Sequence, residues 1–226
     1  EVAHAEGSRV TLAPGQRAGH NIRRAGEDLH AGQVALAAGR QIRPAELGLV
    51  ASLGISEVAV RRRLRVAFFS TGDEVVTLGS AARDGQIYDS NRYTLFGMLT
   101  RLGVDVIDIG VVRDDPDALE TTLREAASVA DVVITSGGVS VGDADFTRDM
   151  MARLGEVLFW KIAMKPGRPM AFGRIGRAGD SAWLFGLPGN PVAVMVTFYQ
   201  FVQDALLKLS GVDPLPERPL MPAVCM

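Results

Sequence analysis

The side chains best suited to chemistry in this 226-residue chain are four acids, Glu74, Asp114, Asp143 and Asp145, and three cations, Lys161, Lys165 and Arg168. Carboxylates are hard oxygen donors of the kind Mg²⁺ takes in small number, together with water and phosphate oxygens. Lysine and arginine offer counter-charge to a phosphate or another oxyanion, the arginine fork in a more directional way than the lysine point charge. Acids beside lysines point to phosphate-ester chemistry, in which a metal bridges oxygens and the cations stabilise developing negative charge. Glu74, Asp114 and Asp145 are the candidate metal ligands. His4, His20 and His30 all precede residue 61 and do not have metal-site spacing, so a Ser/His/Asp arrangement is excluded from the rest of the chain.

These residues need elements that bring them together, and the stretch DVVITSGGVSVGDADF, Asp131 to Phe146, shows how. Val132, Val133 and Ile134 form an uninterrupted apolar run, the pattern of a strand covered on both faces. Ser136, Gly137 and Gly138 then let the backbone turn and approach a ligand without side chains in the way. Asp145 precedes a helical pattern, Phe146 to Leu154, where it is either a site acid or an ordinary N-cap. A loop between a parallel strand and a helix is where α/β proteins bind anions and nucleotides.

The same grammar recurs from Leu64 onward. VAFFS ends in TGDE; VDVIDIGVV ends in RDDP; EVLFWK leads into IAMKPGRP; and a predicted hairpin, Met170–Ile175 with Ala182–Leu187, ends in LPGNP. Asp89, Ser90 or Asn91 can cap a helix that repeats Leu95, Met98, Leu99 and Leu102, with Gly103 as its stop. Asp115 before Pro116 reads as the cap of the next helix, and Pro191 opens a long one through Leu209 that would bury Val192, Met195, Val196, Tyr199, Val202 and Leu206. Strands alternating with helices predict an α/β fold, a mostly parallel sheet with helices on both faces. Every unusual residue falls at the carboxyl end of a strand, and in a doubly wound sheet those ends converge on one crevice.

Residues 1–60 differ. Ser8–Ala13, Gln33–Ala37 and Ile55–Val60 have short-strand patterning and Pro44 can open a helix through Ala51, predicting a small β-rich module. The domains expected are therefore 1–60, an α/β domain over 61–211, and 212–226 as the start of a further domain. The net charge of −2 and the 47% apolar content fit a globular protein, and argue against nucleic acid as a partner. RRRLR, Arg61 to Arg65, reads as a solvated linker. One cysteine, Cys225, excludes a disulfide framework and a cysteine metal site. No apolar run approaches the roughly 18–20 residues that span a bilayer, so no membrane association and a cytoplasmic location are expected. Glu1 at the start and PLPERPLMPAVCM at the end read as a fragment.

Taken together, seven segments resemble the molybdopterin molybdenumtransferase family, which also includes the C-terminal domain of gephyrin: NIRRAGED at 21–28, FSTGDE at 69–74, GQIYDSNR at 85–92, GVVRDDP at 110–116, SGGVSVGDADF at 136–146, FWKIAMKPGRP at 159–169 and FGLPGNP at 185–191. The resemblance implies a molybdopterin-binding, three-layer α/β/α fold and Mg²⁺-dependent insertion of molybdate into adenylylated molybdopterin with release of AMP. By motif position it makes Glu74, Asp114, Asp145 and Asp28 catalytic and assigns anion binding to Lys161 and Lys165. The loop prolines are Pro188 and Pro191, and Ser136, Gly137, Gly138 and Arg168 complete the substrate site. It implies a homodimer whose site is completed across the interface, which would give Asp28 a role, and molybdopterin adenylyltransferase as a pathway neighbour. Arg168 stands where the family commonly has lysine, and the family's N-terminal helices and C-terminal β domain are missing. The alternatives are the adenylyltransferase itself, whose loop usually reads GGTG where this chain reads GGVSVGDAD, and a non-catalytic pterin-binding scaffold.

Overall fold

The computed structural model describes residues 3–12, 14, 15, 17–20, 22–138, 150, 152–177, 180–219, 221 and 222, with the side chains of 157–161, 177 and 180 left aside. The chain forms two compact units, residues 1–56 and 57–226.

In the first unit, β1 (Ala3–Glu6) and β2 (Arg9–Leu12) make an antiparallel hairpin, and α1 (Pro44–Ser52) is the helix that Pro44 predicts. Gln33–Ala37 is bend and coil, not a strand, and Ile55–Val60 is likewise coil; among the described residues neither segment pairs with a strand. Glu46 is buried beneath Arg40 and Arg43 and accepts the Arg43 backbone N–H at 3.1 Å, closing the N-terminus of α1. The Arg43 hydrogen bond, against the cost of burial, holds its carboxyl down to about 2.

The second unit is built on a six-stranded sheet. In chain order its strands are β3 (Arg65–Thr71), β6 (Asp105–Val112), β7 (Val132–Ser136), β8 (Gly155–Lys161), β9 (Pro169–Arg177) and β10 (Asp180–Leu187), and across the sheet the order is β6-β3-β7-β10-β9-β8. The four strands β6, β3, β7 and β10 are mutually parallel, whereas β9 is antiparallel to both neighbours, which returns β8 to the common direction. The 66–71 and 132–136 runs read as continuous apolar sequence because both strands are buried on both faces. Alternate residues serve two cores. Ala67, Phe69 and Val133 pack under α3 (Pro116–Val129), and Val66, Phe68, Val132 and Ile134 pack under α2 (Ser90–Leu102) and the helix that starts at Pro191. The mostly parallel sheet between two helical layers is the architecture that the sequence predicts.

Asp89 caps α2 by accepting Arg92 N–H at 2.9 Å, and Asp115 caps α3 by accepting Ala118 N–H at 2.9 Å. Gly103 ends α2 at φ 75°, a left-handed cap. The helix predicted over Phe146–Leu154 lies mostly outside the described residues; Met150 and residues 152–154 are helical.

The four arginines of RRRLR are exposed, as expected of a solvated segment, and the segment is also tied down: Arg62 forms a two-pronged ion pair with Asp131 at 2.6 and 2.7 Å and Arg61 lies against Gly211. One expectation is corrected: the final helix is not one uniform α-helix. It runs as α4 (Pro191–Thr197), a π-helical turn at Phe198–Val202, and α5 (Gln203–Leu209). Extending the buried Val202–Leu206 face backwards at 3.6 residues per turn reaches Tyr199, Val196, Met195 and Val192. The extra residue in the π turn slips that phase, so Ala193, Val194, Thr197 and Phe198 are buried, while Val192, Met195 and Tyr199 are exposed. The 19-residue span Pro191–Leu209 holds an 18-residue stretch of mean hydropathy 1.3, long and apolar enough by those measures to cross a bilayer, contrary to the sequence expectation. Its inner face, Val194, Phe198, Val202 and Leu206, packs in the core under the sheet.

Candidate active site

A cavity of about 850 Å³ opens at the carboxyl ends of the parallel strands. Its lining gathers Glu74 from the loop after β3, Asp114 after β6, Ser136, Gly137 and Gly138 after β7, Lys165 and Arg168 between β8 and β9, and Pro188 and Pro191 after β10. The convergence of strand ends therefore brings acids and cations to one crevice, as expected of an open α/β sheet. Asp143 and Asp145 lie outside the described residues. Lys161 ends β8 just before the cation-bearing loop. Asp28 belongs to the other unit, where it is exposed and ion-paired with Arg23.

Local structure fixes the acids. The short parallel pair β4 (Val75–Val76) and β5 (Ile87–Tyr88) starts with Ile87 N–H donating to the Glu74 carbonyl at 2.8 Å, and ends with Asp89 N–H donating to Val76 at 3.0 Å. This ladder pins the backbone of Glu74 beside the start of α2. The Glu74 carboxylate folds back over Gly72, where an added Cβ would stand 2.8 Å from Oε2. Asp114 Oδ1 accepts the Thr71 hydroxyl at 3.4 Å, linking the ends of β3 and β6.

The glycines after β7 have a structural reason that sequence alone does not disclose. Gly137 and Gly138 adopt φ of +89° and +67°, and a Cβ on Gly137 would sit 2.4 Å from the Thr71 carbonyl oxygen. The missing side chains make room for the end of β3 as well as for any ligand. Gly137 N–H donates to Leu187 O at 3.1 Å, so this amide tethers β7 to β10 and does not face the cavity as an anion donor.

Thr71, Tyr88, Asn91 and Met164 also line the cavity. Asn91 is among the predicted cap candidates, but Asp89 takes that role and Asn91 Nδ2 donates to Gly189 O at 2.7 Å, tying the start of α2 to the LPGNP loop. Three buried polar atoms on cavity-lining residues, Ser70 Oγ, Asp89 Oδ2 and Asn91 Oδ1, have no hydrogen-bond partner among the described residues. Only the bracketing motifs, YDSN and LPGNP, could have signalled this pairing across the crevice.

Among the described residues no three His, Cys, Asp or Glu side chains cluster as a ligand cage. Among the described residues three carboxylates line the cavity: Glu74, Asp114 and the helix-capping Asp89. Glu74 and Asp114 suit Mg²⁺, which keeps its water and takes one or two carboxylates plus substrate phosphates.

Comparison with known proteins agrees with this arrangement. The family described as "Probable molybdopterin binding domain" matches residues 67–208, and "MoeA N-terminal region (domain I and II)" matches residues 1–54. The molybdopterin molybdenumtransferase of Haemophilus influenzae is 47% identical over 219 residues, covering 97% of this chain and 53% of that protein. The one from Nostoc sp. is 41% identical over 212 residues, covering 93% of this chain and 48% of that protein. The crystal structure of a molybdopterin biosynthesis MoeA protein from Pyrococcus horikoshii superposes with a TM-score of 0.71 at 36% identity, over 83% of this chain and 46% of that one. The chain thus spans about half the length of the relatives it matches. With matching segments across both units and a strand-end cavity carrying acids and cations, the chain belongs to the molybdopterin molybdenumtransferase family.

Proposed function

We propose that the whole protein transfers molybdenum from molybdate to adenylylated molybdopterin and releases AMP, with Mg²⁺ as its metal. The observation that supports this most directly is the meeting of Glu74, Asp114, Lys165 and Arg168 in one cavity, in a chain whose curated relatives carry that name. A volume of about 850 Å³ lies within the roughly 300–1,000 Å³ of small-molecule sites.

In this reading the cations between β8 and β9 do the anion work. Lys165 supplies a mobile point charge and Arg168 a planar fork, so a tetrahedral oxyanion is both attracted and oriented. Glu74 and Asp114, with Asp145, would hold Mg²⁺, which when bound supplies charge neutralisation at the phosphate. Glu74 is held in register by the β4–β5 ladder, and Asp114 is steadied by the Thr71 hydroxyl. Positioning of this kind contributes to the rate by removing the entropy of bringing the reacting groups together. The tie from Asn91 to Gly189 keeps two walls of the cavity at a fixed separation.

The protein would work as a cytoplasmic homodimer, with Asp28 completing the site of a partner subunit. Exposed Tyr93, Phe96, Val192, Met195 and Tyr199 on α2, α4 and the π turn support a packing face of this kind.

The test is molybdate-dependent AMP release from adenylylated molybdopterin by the full-length protein. Glu74→Gln, Asp114→Asn and Asp145→Asn should each lower the rate by about 10²-fold or more with the fold retained. Unchanged release would remove those residues from the mechanism. Efficient adenylylation of molybdopterin from ATP would instead make the protein an adenylyltransferase.

A further inference from the structure

The loop that carries Lys165 and Arg168 rests on one residue of the final helix. Gly167 is buried at φ +101°, and a Cβ placed there would stand 2.7 Å from Thr197 Cγ2 and 2.8 Å from Met164 Cε. Thr197 is fully buried. Its hydroxyl bonds back to the carbonyls of Ala193 at 2.7 Å and Val194 at 3.1 Å, which locks the side chain and points its methyl in a fixed direction. The π turn begins at the next residue, and without its phase slip Thr197 would not lie on the inner face. The loop is closed on itself by Ile162 N–H to Arg168 O and by Met164 N–H to Ile162 O, both at 3.0 Å, so a displacement of Gly167 would carry its neighbours with it.

From this we infer that Thr197 is a positioning residue for oxyanion binding: its locked γ-methyl, seated against the bare Cα of Gly167, sets the height of Lys165 and Arg168 over the cavity. The inference rests on the proposed function, in which those two cations hold the molybdate. Thr197 itself does not line the cavity, and it acts only through Gly167.

The experiment is a double-mutant cycle in the full-length protein, with molybdate affinity by calorimetry, KM and kcat for molybdate, and the unfolding temperature as readouts. Gly167→Ala is expected to weaken molybdate binding by about tenfold. Thr197→Ser keeps the hydroxyl bonds and removes the methyl, and should raise KM for molybdate about threefold with kcat held. In the double variant one of the two groups that the new Cβ meets, the Thr197 methyl, is gone and the other is the end of a flexible methionine, so at least about threefold of the Gly167→Ala loss should return, whereas the remote Ser128→Ala should restore none of it. If Gly167→Ala does not fold, the KM-against-kcat split of Thr197→Ser decides alone. Independent, non-rescuing effects at 167 and 197, or wild-type KM in Thr197→Ser, would overturn the inference while leaving the proposed function standing. A wild-type protein that binds no molybdate would overturn the proposed function, and this inference with it.

Discussion

Arg62 grips Asp131 with two nearly parallel hydrogen bonds, 2.6 and 2.7 Å long, at the end of the sheet opposite the cavity. Asp131 also accepts the Arg65 N–H at 2.8 Å, and its own backbone bridges β3 and β10. One residue thus fastens the amino ends of three central parallel strands, its carboxylate holding β3 and its backbone carbonyl β10.

The Arg62 hydrogen bonds, followed by the Arg65 amide, outweigh partial burial and lower the Asp131 pKa from 3.8 to about 2. A carboxyl whose folded pKa lies below its unfolded one contributes stability that is complete above the unfolded value. That contribution fades as the pH falls from about 4 towards 2. Asp131→Asn should therefore cost about 1–2 kcal/mol at neutral pH, after allowance for solvent screening of the half-exposed arginines. It should also flatten the acid limb of the stability curve. Thermal unfolding followed from pH 7 down to about pH 2 tests this: wild type and variant should converge at the acid end.

Two glycines with left-handed backbones differ in what surrounds them. At Gly103, φ 75°, a Cβ would meet nothing within 4 Å, whereas at Gly137, φ 89°, it would sit 2.4 Å from a backbone oxygen. Gly103→Ala should cost only the conformational strain, about 1 kcal/mol. Gly137→Ala must also move the end of β3 or β7, and should cost about 3 kcal/mol or more and reduce catalysis. Comparable unfolding temperatures for the two variants would show that the crowding at Gly137 is relieved by easy movement.

How far the sequence carries depends on whether a signal is local. Val132 to Ile134 and Val66 to Phe69 announce buried strands because both of their faces are covered, and Asp115 announces a cap because cap and helix are adjacent in the chain. The convergence of Glu74, Asp114, Lys165 and Arg168 was legible because strand ends are where an open α/β sheet places its ligands. The tie from Arg62 to Asp131 is not legible in the sequence because the two residues lie 69 apart in the chain. The buried face of the last helix was misread because a π turn adds a residue that no periodicity at 3.6 contains. Gln33–Ala37 has strand composition, but among the described residues no strand pairs with it.

Asp89 and Asp115 cap their helices identically, each at 2.9 Å, yet Asp89 is buried at the cavity wall with its second oxygen unpartnered, and Asp115 is exposed. Asp115→Ala should cost about 1 kcal/mol of stability and leave AMP release unchanged. Asp89→Ser keeps an acceptor for the Arg92 N–H while deleting the unpartnered oxygen, so stability should change by less than about 1 kcal/mol. If the polar wall contacts substrate, the same variant raises KM; measuring unfolding and KM together separates the cap from the wall.

The metal dependence of the proposed reaction provides the last contrast. Glu74 is anchored through its backbone, by Ile87 N–H on its carbonyl, whereas Asp114 is steadied at its carboxylate by the Thr71 hydroxyl. Substituting a ligand removes charge from the site, while substituting a supporting hydroxyl only loosens it. Chelation should abolish molybdate-dependent AMP release by the full-length enzyme and added Mg²⁺ should restore it. Glu74→Gln and Asp114→Asn should raise the half-saturating Mg²⁺ concentration by about 10–100-fold, and Thr71→Val by less than about tenfold. Mg²⁺ titrations of the three variants test the order. A Thr71→Val effect as large as that of Asp114→Asn would mean that the hydroxyl itself, and not the carboxylate it supports, faces the metal.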